Sequence, residues 1–583
     1  KLTAKGATSG QDIYISDNAA DAPAADFRIA YRTINDTLDG FGGFDVAGEK
    51  KVYFYQGTVK KSINAAGKLG VEVRENLALE GEGAKLTIGA DPTQTGHDPA
   101  SVITGGFTVN SGKSVTVNGK GAGISVNTAG AITLGNNAHF NVAGDEAKVR
   151  LHSRGNKVVF ADDAGLAISG SKADVRATGT ELDLGARATI DLGNDNAGYL
   201  ALNVDKVNET AGEDNTTNIT GSGRLDLAPR TTGTAMTVDN NASGAGLHIT
   251  GDQLNGKLFG SNFGELSLGN EATGDVTIDG ITANNSVTIR TKDTNKVTIG
   301  TGGLTVGGNR RVTLKTGSIE NSGGAGAMAV GTGSTLNLYT NSIANLAANG
   351  SNPSVTGTGT LGIATYDGTK TIGLGNTATG DLLLPDAKFG TVFGSGFTHY
   401  AIGNGTQGTI NVANSSLQKD VTLQANTINF AGDMTLAANK TLVVNAKTAA
   451  NQTAGKIKTD KLALLGGNIG LEKNNEIGTL AADALSVKVK SNALTIGQIT
   501  TPAGAPVASR IIKGVKSGEA GGTAGDITLS ADAMTFTEGV EGKGNLTVQQ
   551  ENAATNLNVG TTGTGLNLPA NLFGGNKIKD GFK

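Results

Sequence analysis

The chain has 583 residues, including 89 Gly, 9 Pro, no Cys and no Trp, and aromatic residues make up only 4% of it. Lys and Arg total 48 against 52 Asp and Glu, a net charge of −4, so the chain lacks the concentrated positive charge that nucleic-acid binding needs. The lack of Cys excludes disulfides and Cys-ligated zinc, and no apolar stretch approaches the ~20 residues that cross a bilayer as a helix.

Residues 1–60 form an aromatic-rich segment that differs from the rest of the chain. The start, 1–5, lacks the apolar core of a signal peptide, so we expect a mature chain or an internal segment of a longer polypeptide. Phe27, Tyr31, Ile34 and Leu38 are spaced 4, 3 and 4 residues apart, which is typical of one helix face. We predict a short helix or loop excursion that packs over the end or flank of the fold and covers exposed strand edges.

The alternative for this segment is an interaction surface for a ligand or a receptor, because exposed aromatic side chains favour interfaces. The residues of that candidate surface are Phe27, Tyr31, Phe41, Phe44, Tyr53 and Tyr55.

From residue 61 onward the sequence is patterned as short strands. Apolar residues two positions apart recur with a polar residue between them, and Gly, Asn and Asp link the pairs. In the stretch 115–192 the pairs are Val115/Val117, Ile124/Val126, Ile132/Leu134, Phe140/Val142, Val149/Leu151, Val158/Phe160, Leu166/Ile168, Leu182/Leu184 and Ile190/Leu192. The same rhythm returns in 276–314 and 410–444, so we predict an all-β chain.

The spacing of these strands favours a solenoid. Val115, Phe140 and Leu166 lie 25 and 26 residues apart, so each is predicted to stack on the one before it. We therefore predict that residues 61–583 form a right-handed parallel β-helix (a β-solenoid), roughly triangular, with about 25 residues per turn. The alternative, a chain of β-sandwiches, would need longer strands and buried aromatic anchors.

A longer unit recurs three times, near 221–269, 357–403 and 542–583. Each copy opens with Gly-x-Gly-x-Leu, at Gly221, Gly357 and Gly542. An apolar strand follows at 247–249, 382–384 and 566–568, and Pro directly follows the second and third of these strands. A Gly/Phe step then falls at Phe263, Phe397 and Phe582, which lie 42, 40 and 40 residues after the first Gly. Because order and offsets agree as well as composition, we predict that the three copies are duplications.

This unit resembles the recurring unit of large filamentous-haemagglutinin-like exoproteins. The resemblance rests on Gly-x-Gly-x-Leu, then Leu-x-Leu-Pro at 382–385 and 566–569, then Gly-Phe and a strand ending in Gly at 266–269 and 401–403. It implies a bacterial adhesin that is exported to the cell surface by a two-partner or related type V route, with an outer-membrane secretion partner. The N-terminal secretion domain of that family is not visible in this sequence.

Residues with chemical potential are few and scattered. The five His include no His-x-x-x-His or His-Glu-x-x-His spacing, which gives no support to zinc hydrolysis. Asp183, Arg187 and Asp191 form the best local cluster for polysaccharide cleavage, but we predict a solvated structural role for them. The corners 194–196 and 239–241 are rich in Asp and Asn, and their oxygens suit Ca²⁺; we predict turns and no cofactor, with calcium as the alternative.

The sequence thus predicts a protein that is not an enzyme, but a structural and adhesive segment of a large secreted bacterial surface protein: a rigid stalk for cell-surface or biofilm adhesion. The alternatives are a self-assembling extracellular fibre or surface-layer subunit, and a polysaccharide-binding or polysaccharide-cleaving β-helix. The expected partners are a host-cell receptor, an extracellular polysaccharide or copies of the chain itself. Neither a nucleic-acid partner nor a transmembrane segment is expected.

Overall fold

A computed structural model gives the conformation of most of the chain. The described residues are 2–5, 11–21, 27–37, 43–89, 105–193, 195–210, 219–241, 244, 246–260, 262–322, 326–348, 350–502, 510–518, 525–575 and 577–583. The chain divides into two compact units, Lys1–Lys292 and Asp293–Lys583. The described parts of both are mostly β.

The first unit is built from three parallel sheets, whose strands follow one another in turn along the chain. The first sheet contains Leu2–Lys5, Gly43–Gly48, Ser62–Gly67, Lys85–Ile88, Gly123–Thr128, Lys148–Ser153, Asp174–Leu184, Tyr199–Glu209, Arg224–Ala228, Glu265–Leu268 and Ser286–Arg290. The second contains Phe27–Ile29, Ile13–Ile15, Lys51–Phe54, Gly70–Val73, Gly106–Val109, Ile132–Leu134, Val158–Phe160 and the later halves of Asp174–Leu184 and Tyr199–Glu209. The third contains Gly57–Val59, Leu77–Glu80, Ser114–Asn118, His139–Ala143, Gly165–Ser169, Thr189–Asp191 and Ile219–Thr220.

The predicted stacking of Val115, Phe140 and Leu166 is confirmed. Val115 is the register partner of Phe140, and Phe140 is the register partner of Leu166. All three side chains are buried, whereas the alternate residues Thr116 and Asn141 are only half-buried. The period-2 alternation therefore places one apolar row in the core and a polar row on the outside.

The N-terminal segment is part of the sheets. Gly43–Gly48 pairs with Ser62–Gly67, and Lys51–Phe54 pairs with Gly70–Val73, so pairing continues across residue 60. The predicted helix is seen at Tyr31–Thr37, and a single 3₁₀ turn lies at Ala19–Asp21. The prediction that this helical face begins at Phe27 is wrong, because the backbone there pairs as a strand with Ile13–Ile15. Leu38 lies outside the described residues.

Further elements complete the first unit. Met236–Asp239 lies between two parallel neighbours, Leu247–Thr250 and Val276–Ile278. Ile281–Ala283 is a short strand, and a helical turn covers Gln253–Lys257.

The second unit also consists largely of parallel strands. One sheet contains Arg311–Asn321, Thr335–Ser342, Thr360–Ala364, His399–Gly403, Asp420–Ala431, Thr441–Ala454 and Ile457–Ser491. In a second set, Lys296–Ile299 pairs with the end of Arg311–Asn321. Separately, Leu382–Leu384, Thr371–Leu374 and Thr409–Val412 pair in that order, and the later halves of Asp420–Ala431 and Thr441–Ala454 continue the row. A third set contains Leu304–Val306, Met328–Val330 and Val355–Thr356, and separately Ser415–Leu417, Met434–Leu436 and the start of Ile457–Ser491.

Toward its C-terminus the second unit has shorter parallel strands and an antiparallel hairpin. Three strands pair in parallel with Ile457–Ser491, namely Ala493–Ile496, Val515–Ser517 and Ile527–Ser530. On their other sides these three pair in parallel with Ala533–Phe536, Val540–Glu541 and Leu546–Gln549, respectively. Leu557–Val559 pairs with Leu566–Leu568, and helical turns lie at Lys388–Thr391 and Ala570–Leu572. Gln498–Thr500 and Ile511–Lys513 pair with each other in antiparallel fashion.

The three long sequence units fold alike. In each, the apolar strand adds beside the strand that precedes it: Leu247–Thr250 beside Met236–Asp239, Leu382–Leu384 beside Thr371–Leu374, and Leu566–Leu568 beside Leu557–Val559. In each, the opening glycine lies against the ring of the Gly/Phe step. A Cβ added at Gly221, Gly357 or Gly542 would come within 2.8, 2.6 and 2.7 Å of Phe263, Phe397 and Phe582. The sequence repeat is therefore a structural repeat.

Candidate functional site

The predicted aromatic surface of the N-terminal segment begins with a buried residue, Tyr31. Tyr31 is the first residue of its helix, and its side chain is 1% exposed. Its hydroxyl donates a hydrogen bond to the Tyr55 carbonyl oxygen at 2.7 Å, and its ring lies against Gly57, where an added Cβ would come within 2.2 Å of the ring. Burial, and then the Asp17 carboxylate, raise the pKa of Tyr31 far above its usual value. These contacts of Tyr31 hold the helix against the sheets.

The other described residues of this predicted surface lie on strands. Phe44 is buried in the core. Tyr53 lies between the inward-facing Val52 and Phe54, so it points outward, yet it is only 6% exposed. Tyr55 is half-buried.

Tyr53 is covered because it belongs to a stack of aromatic and basic side chains. The Tyr14 ring lies 4.9 Å from the Tyr53 ring. The guanidinium of Arg74, which directly follows the neighbouring strand Gly70–Val73, lies 3.9 Å from the Tyr53 ring. Arg74 also donates hydrogen bonds to the Tyr55 hydroxyl at 2.9 Å and to Glu72 Oε1 at 3.0 Å. Burial, and then the Asp12 carboxylate, raise the pKa of Tyr53 to about 12, so this phenol stays protonated further into alkaline pH than an exposed tyrosine does.

The structure thus brings Tyr53 and Tyr55 together through their shared contacts with Arg74. It joins buried Tyr31 to the backbone of Tyr55 and places Phe44 in the core. The side chain of Phe27 and the whole of Phe41 lie outside the described residues. Sequence reasoning missed Arg74, although its position directly after the buried Val73, at the end of a strand, was a readable signal. A docking role for these residues stays a prediction, and the most accessible of its described members is Tyr55.

Asp183, Arg187 and Asp191 do not converge on one point. Asp183 binds Lys157 Nζ at 2.6 Å and Asn208 Nδ2 at 2.7 Å. Arg187 pairs instead with Asp163, at 2.6 Å.

Asp191 accepts hydrogen bonds from Thr220 Oγ1 at 2.8 Å and from the Gly193 amide at 3.0 Å. Each of the three predicted residues therefore serves its own local contacts within the strands and turns.

The Asp/Asn-rich corners use their oxygens within the fold. Asp239 accepts hydrogen bonds from the amide and side chain of Asn241, both at 2.9 Å, and lies 2.8 Å from His248 Nε2. Asp195 accepts a bond from the Lys172 amide, and Asn194 lies outside the described residues. Within the described ranges, no group of three or more His, Cys, Asp or Glu is arranged to hold a metal ion.

A network of charged side chains and one tyrosine lies on the outer side of the first sheet. Tyr199 donates a hydrogen bond to Asp226 Oδ2 at 2.8 Å, and Arg224 donates one to Asp226 Oδ1 at 2.6 Å. The guanidinium groups of Arg176 and Arg224 lie 5.3 and 6.0 Å from the Tyr199 ring, and Arg176 also pairs with Asp174 at 3.2 Å. Burial and the bond to Asp226 raise the pKa of Tyr199 to about 12. The carboxylates of Asp174 and Asp226 are each paired with an arginine, so the charges of the network balance. Its contacts link successive strands of the sheet.

Comparison of this chain with protein-family models, with curated proteins and with solved structures finds no match. The class of protein is therefore defined by the fold: mostly β, with long parallel sheets, an arrangement consistent with an all-β parallel solenoid. In the part of the chain that the structure describes, no helix is long and apolar enough to cross a membrane.

Proposed function

We propose that the chain is a structural and adhesive segment of a large secreted bacterial surface protein, and that it acts as a rigid, non-catalytic stalk. In this proposal the parallel strands wind as a right-handed, roughly triangular β-helix with about 25 residues per turn. The protein is exposed at the cell surface after export with an outer-membrane partner. It adheres to a host-cell receptor, to extracellular polysaccharide or to copies of itself.

The observation that carries the proposal is the stacking of parallel strands within each unit. Strands that follow one another in a sheet are bonded along their whole register, as for Ser114–Asn118 with His139–Ala143 and Gly165–Ser169. Such ladders satisfy the backbone groups of all but the end strands, and each layer packs mainly on its neighbours. Stability then grows with the number of layers, which suits a stalk.

The polar outside of the sheets supports the same function. Ion pairs and hydrogen bonds link outward side chains of neighbouring strands, as between Lys157 and Asp183 and between Asn411 and Asn429. The resemblance of the three long units to filamentous-haemagglutinin-like exoproteins supports the adhesive part of the proposal.

Electron microscopy of the purified chain tests the proposal. Single slender rods at every protein concentration are the expected result. Ordered fibres that appear as concentration rises would favour the self-assembling alternative, whereas separate globular beads would rule out a stalk. Adhesion is tested with the same protein on beads, which should adhere to host cells or to polysaccharide-coated surfaces more than beads coated with albumin.

A further inference from the structure

A groove of about 570 Å³ crosses one corner of the second unit. It runs over successive layers, because its walls include three stretches that are neighbours in the sheets, 424–425, 445–448 and 466–468. Gly405 and Leu485 complete the lining. An extended ligand in it would lie across the strands. The groove is not part of any surface that the sequence pointed to.

A β-bulge shapes this corner. Ala425 is the register partner of Ala446 and Thr427 of Ala449, so one residue of the first strand stands opposite two residues, Lys447 and Thr448, of the next. The strand on the other side again has a single residue, Gly467, opposite the same two. Bulges re-aim side chains and are frequent beside binding sites. Here the bulge turns Lys447 and Thr448 outward, and both are exposed.

Two glycines line the groove beside the bulge. A Cβ added at Gly467 would lie 2.1 Å from the Thr448 carbonyl oxygen. Gly466 has φ +102°, and a Cβ there would lie 2.2 Å from the Ala446 carbonyl oxygen. Only glycine fits these positions, so this part of the lining is bare backbone.

The walls offer amide groups. Gln424 Oε1 is buried and has no hydrogen-bond partner among the described residues, although a buried polar atom is usually paired. Asn445 is the register partner of Gln424 on the next strand, and Asn468 lines the groove one strand further. Ser486 donates a hydrogen bond to Asn468 Oδ1 at 2.8 Å, which fixes that amide in place. Half-buried Leu485 adds an apolar contact at the end of this row.

The geometry points to this groove as a binding site for a linear, uncharged polysaccharide that lies across the strands. Amides both donate and accept hydrogen bonds, as sugar hydroxyls do, and among the described residues that line the groove Lys447 is the one that is charged. A peptide fits less well, because Thr441–Ala454 already pairs on both sides and offers no free edge for strand addition. The inference rests on the proposed adhesive function and names its ligand class.

Calorimetric titration of the full chain with four hexasaccharides tests the site. The probes are β-1,4-linked glucose, xylose, mannose and N-acetylglucosamine oligomers. We expect at least one to bind, and the double variant Gln424→Ala/Asn445→Ala to weaken that binding roughly tenfold or more. Asn429→Ala/Asn451→Ala is the matched control, because these asparagines bond to each other on the outside of the same strands, away from the groove. The control should bind like the parent.

A circular dichroism spectrum and melting curve for each variant show that the fold is kept. The site is overturned if none of the four hexasaccharides binds at millimolar concentration, or if the groove variant and the control variant lose binding equally. It is also overturned if an extended Gly/Ser peptide binds where the sugars do not. Because rods in the microscope do not depend on these amides, failure of the site and failure of the stalk are separate results.

Discussion

His399 shows how the fold controls the charge of a single residue. Its side chain is 1% exposed, and Nε2 lies 2.9 Å from Thr422 Oγ1. Burial lowers the pKa of His399 to about 4, although the Asp420 carboxylate works in the opposite direction. An unfolded chain has a His pKa of about 6.5, so it binds a proton at a pH where the folded chain does not. Stability from this residue is therefore complete above pH 6.5 and falls as the pH approaches 4.

Between pH 7 and pH 4, proton binding to this histidine in the unfolded chain should lower the free energy of unfolding by up to about 3 kcal/mol. His399→Gln should remove that part of the pH dependence, because Gln does not titrate. Urea unfolding at several pH values measures it, with His139→Gln as control, since His139 is exposed on its strand. An unchanged pH dependence in His399→Gln would contradict the assignment.

The Gly/Phe contact of the long units is equally specific. Gly221→Ala should destabilise the first unit by about 1–3 kcal/mol, because the new Cβ would lie 2.8 Å from the Phe263 ring in a packed core. Gly155→Ala is the control, since its nearest neighbour would be 3.8 Å away and its backbone suits alanine. Thermal unfolding compares the two variants. Equal melting temperatures would show that the ring moves aside at no cost.

At the scale of elements, the antiparallel hairpin Gln498–Thr500/Ile511–Lys513 protects an apolar stripe. Ile499 and Ile512 pack with Val443, Ala463, Leu465 and Ala481 in a cluster that is nearly inaccessible to solvent. Val443 lies between Leu442 and Val444, whose side chains face the core, so the stripe is on the outer side of its sheet. Uncovered, it would favour association with other apolar surfaces.

Ile512→Asp should detach this hairpin, because it would bury a carboxylate in that cluster. We expect faster proteolysis within 498–513 and increased binding of an apolar dye. Ile511→Asp is the matched control, since Ile511 is the preceding residue and is 57% exposed. If both variants resist protease like the parent, the hairpin does not depend on this packing.

Sequence reasoning reached the strand register because that information is local. Alternation and spacing placed Val115, Phe140 and Leu166 in one column, and the pairing agrees. The hairpin was not foreseen, since Ile499 lies between two polar residues as in the parallel strands, and alternation does not encode strand direction. The bulge at Lys447 was missed for a related reason: it is a one-residue difference between neighbouring strands, visible only when their register is known.

At the scale of a whole unit, parallel stacking means that one layer can be deleted while the register of the remaining strands is kept. In the first unit His139 is the register partner of Gly165, and Phe140 that of Leu166. Deleting residues 140–165 therefore joins His139 to Leu166 with the column kept, and Val115 gains Leu166 as its neighbour in place of Phe140. The same deletion brings Gly123–Thr128 onto Asp174–Leu184, each of which already pairs with Lys148–Ser153.

We expect the chain without residues 140–165 to fold, with a modest loss of stability, since a stack loses only one set of interfaces between layers. Some loss is expected because the 6.1 Å contact between the Phe107 and Phe140 rings disappears. Deleting only 140–152 is the control: it removes fewer residues but breaks the register, so apolar and polar rows no longer align. Far-ultraviolet circular dichroism, melting curves and limited proteolysis compare the two chains. If the register-keeping deletion unfolds as readily as the shorter one, the layers are not independent, and the stability of the unit depends on contacts that reach beyond neighbouring strands.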